Sequence, residues 1–326
     1  MRAPESYARH RAWLVACVAG CAWLLAPGAS TADEARPGGD LDLEIPVQGK
    51  IVPVNAAPLW EWRDTKLQLD LEVAMANLGL AQALARGTLA VALVDITRIE
   101  RPRVSAINGD RMFYAASLPK IAVMLAVFAK AESGELEIDE ETRVQLYRMI
   151  RASSNPDSTA LMGKVGKEYI AEVLRSPRYR LYDASHDGGL WAGKDYAGGG
   201  LWQRDPIHNF SHGATVMQVA RFFFLLEKGE LVSREASREM KQILMREGTG
   251  PKFLKGLRQV RPDAAIYRKG GTWHNFHADG ALVERRDGAA YIAVALTESA
   301  SGREWLTQIA MAMDGLIAPP HTRSGR

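Results

Sequence analysis

After Lys120 the chain runs for nine residues, Ile121 to Ala129, without a polar side chain. Nine residues are too few to span a bilayer, and a helix apolar on every side is a buried core helix. Pro119 suits a helix's first turn, where its missing N–H costs nothing. Ser117 then falls at or near the N-cap. Residues at i and i+3 share a helical face, so Ser117 and Lys120 are expected to touch. Burial favours the neutral amine, and a neutral amine beside a hydroxyl is a base–nucleophile pair.

Upstream, Leu67 to Ala85 has helical spacing, and Thr88 to Ile96 is a largely apolar, β-branched-rich run that predicts a buried strand. Arg103 to Ile107 is its expected hairpin partner, ended by the Asn108-Gly109 turn signal. Downstream, Glu132 to Glu141 is an acidic, solvated connection. Helices are predicted at Glu140–Arg151 and Asp157–Leu174, joined by a Ser153-Ser154-Asn155-Pro156 turn. Tyr179 to His212 is glycine-rich and aperiodic, and so long a loop in a compact domain is usually functional. Further helices are expected at Ala214–Lys228 and Ser233–Met245. The last third predicts strands at Ala265–Arg268, Ala278–Glu284 and Ala289–Leu296, with an Asp287-Gly288 turn, and a closing helix at Ser301–Leu316. This order predicts an α+β fold. A mainly antiparallel sheet is flanked by N- and C-terminal helices, with an all-helical lobe inserted between its halves.

The N-terminus is different. Arg2, Arg9 and Arg11 precede an apolar run of 14 residues, Trp13 to Ala26, and Ser30-Thr31-Ala32 offers a cleavage site. Residues 1–32 read as a secretory signal, so the protein is expected to be exported, to the periplasm. Val18-Ala19-Gly20-Cys21 offers the alternative of a lipid anchor at Cys21. The only two cysteines, Cys17 and Cys21, lie in this segment, so the mature chain has none for a disulfide or a metal. Residues 33–58 read as a linker or extended arm, 59–318 as one domain (sheet lobe 59–113 and 260–318, helical lobe 114–259) and 319–326 as a tail. The 326 residues are 47% hydrophobic and 24% charged, an ordinary globular balance, with net charge +3. Without the signal the net charge is about +1, with no basic block, which excludes an electrostatic case for nucleic acid.

Three short motifs carry chemistry. Ser117-x-x-Lys120 opens the buried helix, Ser153-x-Asn155 sits on the turn between two helices, and Lys269-Gly270-Gly271-Thr272 follows a late strand. Each alone is a weak pattern. In this order they resemble the active-site set of serine β-lactamases and penicillin-binding enzymes, closest to class A β-lactamase-like serine hydrolases. The resemblance runs from about residue 67 to 316. It implies an acyl-serine mechanism on a small-molecule β-lactam or a peptide-like cell-wall amide, with no cofactor. By that resemblance Ser117 attacks a carbonyl, Lys120 takes or relays its proton and Ser153 passes a proton to the leaving nitrogen. Asn155 holds the substrate amide, Lys269 binds its carboxylate beside Gly271 and Thr272, and the N–H groups of Ser117 and Thr272 form the oxyanion hole. Two alternatives stay open: a non-catalytic binder of cell-wall fragments, and an esterase or amidase for another acyl group.

The chain departs from the family pattern in four ways. No glutamate occurs from Val173 to Leu226, where class A enzymes carry the one that activates the deacylating water; Asp183, Asp187, Asp195 and Asp205 are the available carboxylates. Gly270 replaces a hydroxyl residue. No arginine lies between Lys269 and Arg285, and the Ser117–Ser153 interval is short. Gly188 to Lys194 has most of a phosphate-loop spacing, and His208 and His212 have a metal-like one. Trp273 and His274 are candidates to border the cleft.

Overall fold

A computed structural model describes residues 58–200 and 202–319. The expected signal segment, both cysteines, most of the 33–58 arm and the tail past Pro319 lie outside the described residues. A 3-10 turn at Leu59–Glu61 leads into α1 (Thr65–Asn77), whose N-terminus is capped by Asp64 accepting from the Leu67 N–H at 2.7 Å. The single helix expected over Leu67–Ala85 is two helices. Gly79, at φ 73°, ends the first, and α2 (Ala81–Ala85) follows, since only glycine takes that conformation cheaply. Then come β1 (Leu89–Asp95), β2 (Arg103–Ile107), the short β3 (Phe113–Tyr114) and α3 (Lys120–Glu132).

Next come α4 (Glu140–Arg151), α5 (Asn155–Val165) and α6 (Lys167–Arg175). Gly166, at φ 87°, again divides what sequence periodicity read as one helix. That helix also begins earlier than the expected Asp157. Ser154 is its N-cap, and Pro156 is accommodated in the first turn. The long loop is pinned by β4 (Tyr182–Asp183), β5 (Gly188–Gly189), β6 (Trp191–Ala192) and β7 (His212–Ala214). Inside it Asp205 accepts from Tyr182 Oη at 2.5 Å and from the N–H groups of Ile207, His208 and Phe210.

The chain closes with α7 (Val216–Lys228), α8 (Arg234–Leu244), α9 (Phe253–Val260), β8 (Ala265–Trp273), β9 (Phe276–Glu284), β10 (Ala290–Glu298) and α10 (Gly302–Leu316). Periodicity did not predict α9. It is short and follows Gly248, Gly250 and Pro251, which read as loop, yet it buries Phe253, Leu254 and Leu257. β8 runs five residues past its expected end at Arg268, so Lys269 to Thr272 lie within a strand rather than after it.

The main sheet has five strands in the order β2-β1-β10-β9-β8, all neighbours antiparallel. β1 shows no alternation because both its faces are covered. Ala90, Ala92 and Val94 enter one core with α3 and α7, while Leu89, Val91 and Leu93 enter the other with α1, α9 and α10. β8 is one of the two edge strands, and at Gly271 its outer edge faces the turn that precedes α3.

Candidate active site

The turn before α3 places Ser117. The Ala115 N–H donates to the His212 carbonyl (3.0 Å), joining this turn to β7, and Leu118 N donates back to the Ala115 carbonyl (3.0 Å). Ala116 takes φ 50°, a strained conformation for alanine, just before the serine. α3 starts at Lys120 with Pro119 as its N-cap, so Ser117 lies near the cap, two residues before it. The extra turn leaves Ser117 half-buried, while Lys120 is fully buried.

Lys120 does not hydrogen-bond to Ser117 Oγ among the described residues. Its ammonium instead donates across to the helical lobe: to the Ser153 carbonyl (2.6 Å), to Asn155 Oδ1 (2.8 Å) and to the Ser154 carbonyl (3.3 Å). The residue at φ 57° in this connection is Ser153. That conformation turns its carbonyl to Lys120 and its hydroxyl to Lys269, whose Nζ donates to Ser153 Oγ at 2.9 Å and to the Gly270 carbonyl at 2.7 Å. Two lysines from different elements therefore hold one serine.

Burial lowers the Lys120 pKa to about 7, against a smaller upward pull from Asp157. Lys269 is pushed well down, first by burial and then by the charges of Lys120, Arg268 and Lys252. Lys120 is thus within reach of a neutral form near pH 7, as a proton acceptor or relay requires.

Gly271 explains how β8 reaches the serine. A Cβ there would lie 2.2 Å from the Ala115 carbonyl and 2.8 Å from the backbone nitrogens of Ser117 and Leu118. The strand and the Ser117 turn touch backbone to backbone, and only glycine permits this. Ser117, Ser153, Asn155, Lys269, Gly271 and Thr272 all line one cleft of about 380 Å³. Ser117, Asn155 and Thr272 also border a neighbouring cavity of about 210 Å³ with Lys194, Asp195, Tyr196, His212 and Trp273. The structure thus brings together every residue singled out from the three motifs.

Other expectations fare differently. Trp273 is half-exposed beside the smaller cavity, whereas His274 is in the turn after it and lines neither. The phosphate-loop spacing falls on short strands and loop with no helix after it. His208 Nε2 meets Asp187 (2.8 Å), and His212 Nε2 donates to the Lys194 carbonyl (2.9 Å), so the two histidines have separate partners. No cluster of three or more metal-ligating side chains occurs among the described residues.

Of the loop carboxylates, Asp183 is bound by Arg180 and Ser185, Asp187 by His208, and Asp205 by Tyr182 and backbone. Only Asp195 borders a cavity with Ser117, and Lys167 pairs with it at 2.8 Å. The group over Lys120 is the ring of Tyr196, with Nζ 4.5 Å from its centroid, backed in turn by the His212 ring at 4.1 Å. Sequence reasoning missed Tyr196, and it missed Arg151, Arg246 and Lys252, which line the larger cleft. For Tyr196 the one signal was the unusual length of its loop; for the three cations there was none.

The model of the β-lactamase enzyme family matches residues 70–147 and 144–313 of this chain. No curated protein sequence matches it. Among solved structures, a mutant of PBP-A in acyl-enzyme complex with penicillin G aligns with TM-score 0.58 at 16% identity, covering 77% of this chain and 95% of that one. A β-lactamase from Sphaerobacter thermophilus aligns with TM-score 0.56 at 19% identity, covering 75% and 99%. The last common ancestor of Gram-negative bacteria class A β-lactamase aligns with TM-score 0.58 at 20% identity, covering 74% and 98%.

Proposed function

Because this chain belongs to the β-lactamase enzyme family, we propose that it is an exported, periplasmic serine acyl hydrolase. It acts through a Ser117 acyl-enzyme on β-lactams or peptide-like cell-wall amides, with residues 59–318 as the hydrolase domain. The observation that carries this reading is the double hold on Ser153, by Lys120 through its carbonyl and by Lys269 through its hydroxyl, beside Ser117.

In the proposed step, neutral Lys120 accepts the Ser117 hydroxyl proton as Oγ bonds to the carbonyl carbon. Closing that contact needs Nζ to exchange one of its present acceptors for Ser117, a change within a single turn. The backbone N–H groups of Ser117 and Thr272 face the developing oxyanion, a contribution of about 3–4 kcal/mol in such sites. When the tetrahedral adduct collapses, the carbonyl–nitrogen bond breaks and Ser153 Oγ gives its proton to the departing nitrogen. Lys269 replaces that proton. Charge gained on Lys120 lowers the proton affinity of Lys269, so the two lysines together keep the same number of protons.

Asn155, exposed at the mouth of the cleft, holds the substrate amide. Deacylation is slow in this reading, because Tyr196 covers Lys120 where a carboxylate would be needed to activate water. Intact mass of the protein, followed over time after mixing with a penicillin, tests it. A persistent adduct on the wild-type chain that is lost in Ser117→Ala is expected. An adduct that survives Ser117→Ala, or rapid release of opened penicillin, overturns it.

A further inference from the structure

The larger cleft carries more positive charge than one carboxylate requires. Besides Lys269 it is lined by Arg151, Arg246, Lys252 and Arg268. Of these five cations only Arg268 has a carboxylate partner among the described residues, Asp279, at 2.6 Å. Lys252 is buried and spends its donors on the Gly271 and Ala278 carbonyls and on Thr272 Oγ1. Lys269 is buried and directed at Ser153.

That leaves Arg151 and Arg246 at the far end, where Arg151 already donates to the Gln242 and Ile243 carbonyls (2.8 and 3.3 Å) and Arg246 is the freer of the two. Arg246 donates one N–H to the Arg151 carbonyl (2.6 Å), and its other guanidinium N–H groups have no acceptor among the described residues. Its backbone N–H donates to the Ile266 carbonyl, which is three residues before Lys269 on β8. At strand spacing, that places the Arg246 backbone roughly 10 Å from Lys269 along the strand. The long side chain bridges part of that distance. One small molecule can therefore touch both ends of the cleft.

We propose that the substrate's leaving half is dianionic. Its first carboxylate lies against Lys269 and Thr272, and its second against Arg246, with the charge of Arg151 beside it. The two arginines enter from α4 and from the segment after α8, which is paired with the start of β8. The inference rests on the acyl-enzyme reading for the direction of the leaving half. Burial and mutual repulsion with Arg268 and Arg151 lower the Arg246 pKa, in keeping with a cluster that lacks its counter-charge. An anion entering such a cleft meets a focused positive field and charge-assisted hydrogen bonds.

Two acylglycyl thioesters test the proposal, one of 2-mercaptoglutarate and one of 2-mercaptopentanoate. The leaving groups have the same length and the same first carboxylate, and differ only in ending with a second carboxylate or a methyl group. In both, Ser117 Oγ bonds to the acyl carbon, the carbon–sulfur bond breaks, and the thiol leaves with the proton. Second-order acylation, read by thiol release and intact mass, should favour the dianion by about tenfold or more. The ratio should fall towards one in Arg246→Gln, which keeps a donor for the Arg151 carbonyl, and in wild type at high salt.

Equal rates for the two thioesters in wild type overturn the proposal. If neither acylates Ser117, the acyl-enzyme reading fails. Calorimetric binding of the same two compounds to Ser117→Ala then decides the inference: tighter binding of the dianion upholds it, and equal or absent binding of both overturns it.

Discussion

The ring of Tyr196 lies over the ammonium of Lys120, Nζ 4.5 Å from the ring centroid, in a cavity that Ser117 also borders. The contact is a cation–π pair when Lys120 is charged and an apolar cover when it is neutral. Neither form activates water. Tyr196→Glu puts a carboxylate at this place, within reach of Lys120. The acyl-enzyme formed with a penicillin should then decay at least about tenfold faster, since general-base assistance contributes roughly 10²–10⁴. Tyr196→Phe, which loses only a long 3.4 Å hydrogen bond to the Ala116 carbonyl, should keep the wild-type lifetime. The decay of the adduct mass measures both, and an unchanged lifetime in Tyr196→Glu removes Tyr196 from the account of slow deacylation.

The pH dependence of acylation follows from Lys120. Its pKa is lowered to about 7, chiefly by burial, so the neutral amine predominates above that pH and the acylation rate should rise as pH passes through about 7. The same group bears on stability. An unfolded lysine titrates near 10.4, so from about pH 7 to 10 the unfolded chain binds more protons at this site and stability rises with pH there. Lys120→Met should abolish the rise in rate and slow acylation by about 10²–10⁴. A wild-type rate that is flat from pH 5.5 to 8.5 would remove Lys120 as the base.

The elements legible in the sequence were those whose signal is local. Arg103–Ile107 and Glu140–Arg151 occupy the expected residues, because a turn dipeptide bounds the first and an Asp139 cap starts the second. Gly79 and Gly166 broke expected helices because periodicity continues across a glycine whose left-handed conformation the pattern does not encode. The site divides along the same line. Ser117, Lys120, Ser153, Asn155 and Lys269 stand in short motifs, and the structure gathers them round one cleft. Arg151, Arg246, Lys252 and Tyr196 belong to no motif and reach the cleft only through the packing of separate segments. Ser117 and Lys120, expected to touch from their i, i+3 spacing, meet through the backbone, the Lys120 N–H donating to the Ser117 carbonyl at 3.4 Å, while the Lys120 ammonium turns to the helical lobe.

Gly271 sets how closely the edge strand meets the Ser117 turn. The atoms that a Cβ would strike, the Ala115 carbonyl at 2.2 Å and the Ser117 and Leu118 nitrogens at 2.8 Å, are all backbone. None can swing aside as a side chain can. Gly271→Ala should therefore cost about 1–3 kcal/mol by overpacking, a fall of several degrees in Tm. Acylation should suffer more than stability, because the displaced backbone carries the Ser117 N–H. An alanine variant with wild-type Tm and wild-type acylation would show that the strand and turn are not in contact in solution.

Lys252 supports that same strand from behind. It is 3% exposed, and its ammonium joins the carbonyls of Gly271 and Ala278, which face each other across β8 and β9, to the hydroxyl of Thr272. Its backbone takes φ 60°, a conformation unfavourable for lysine, which the surrounding contacts must maintain. Lys252→Met keeps most of the volume but leaves those acceptors without a donor, at about 1–3 kcal/mol for each buried one. Tm should fall, and acylation of Ser117 should slow by about tenfold or more as the Gly271–Thr272 backbone loses its anchor. Residual acylation should still rise through pH 7, because Lys120 is untouched. Normal acylation despite a lowered Tm would make Lys252 a stabilising residue with no part in positioning the site. A lost pH dependence would instead mean that Lys252 contributes to the titration assigned to Lys120.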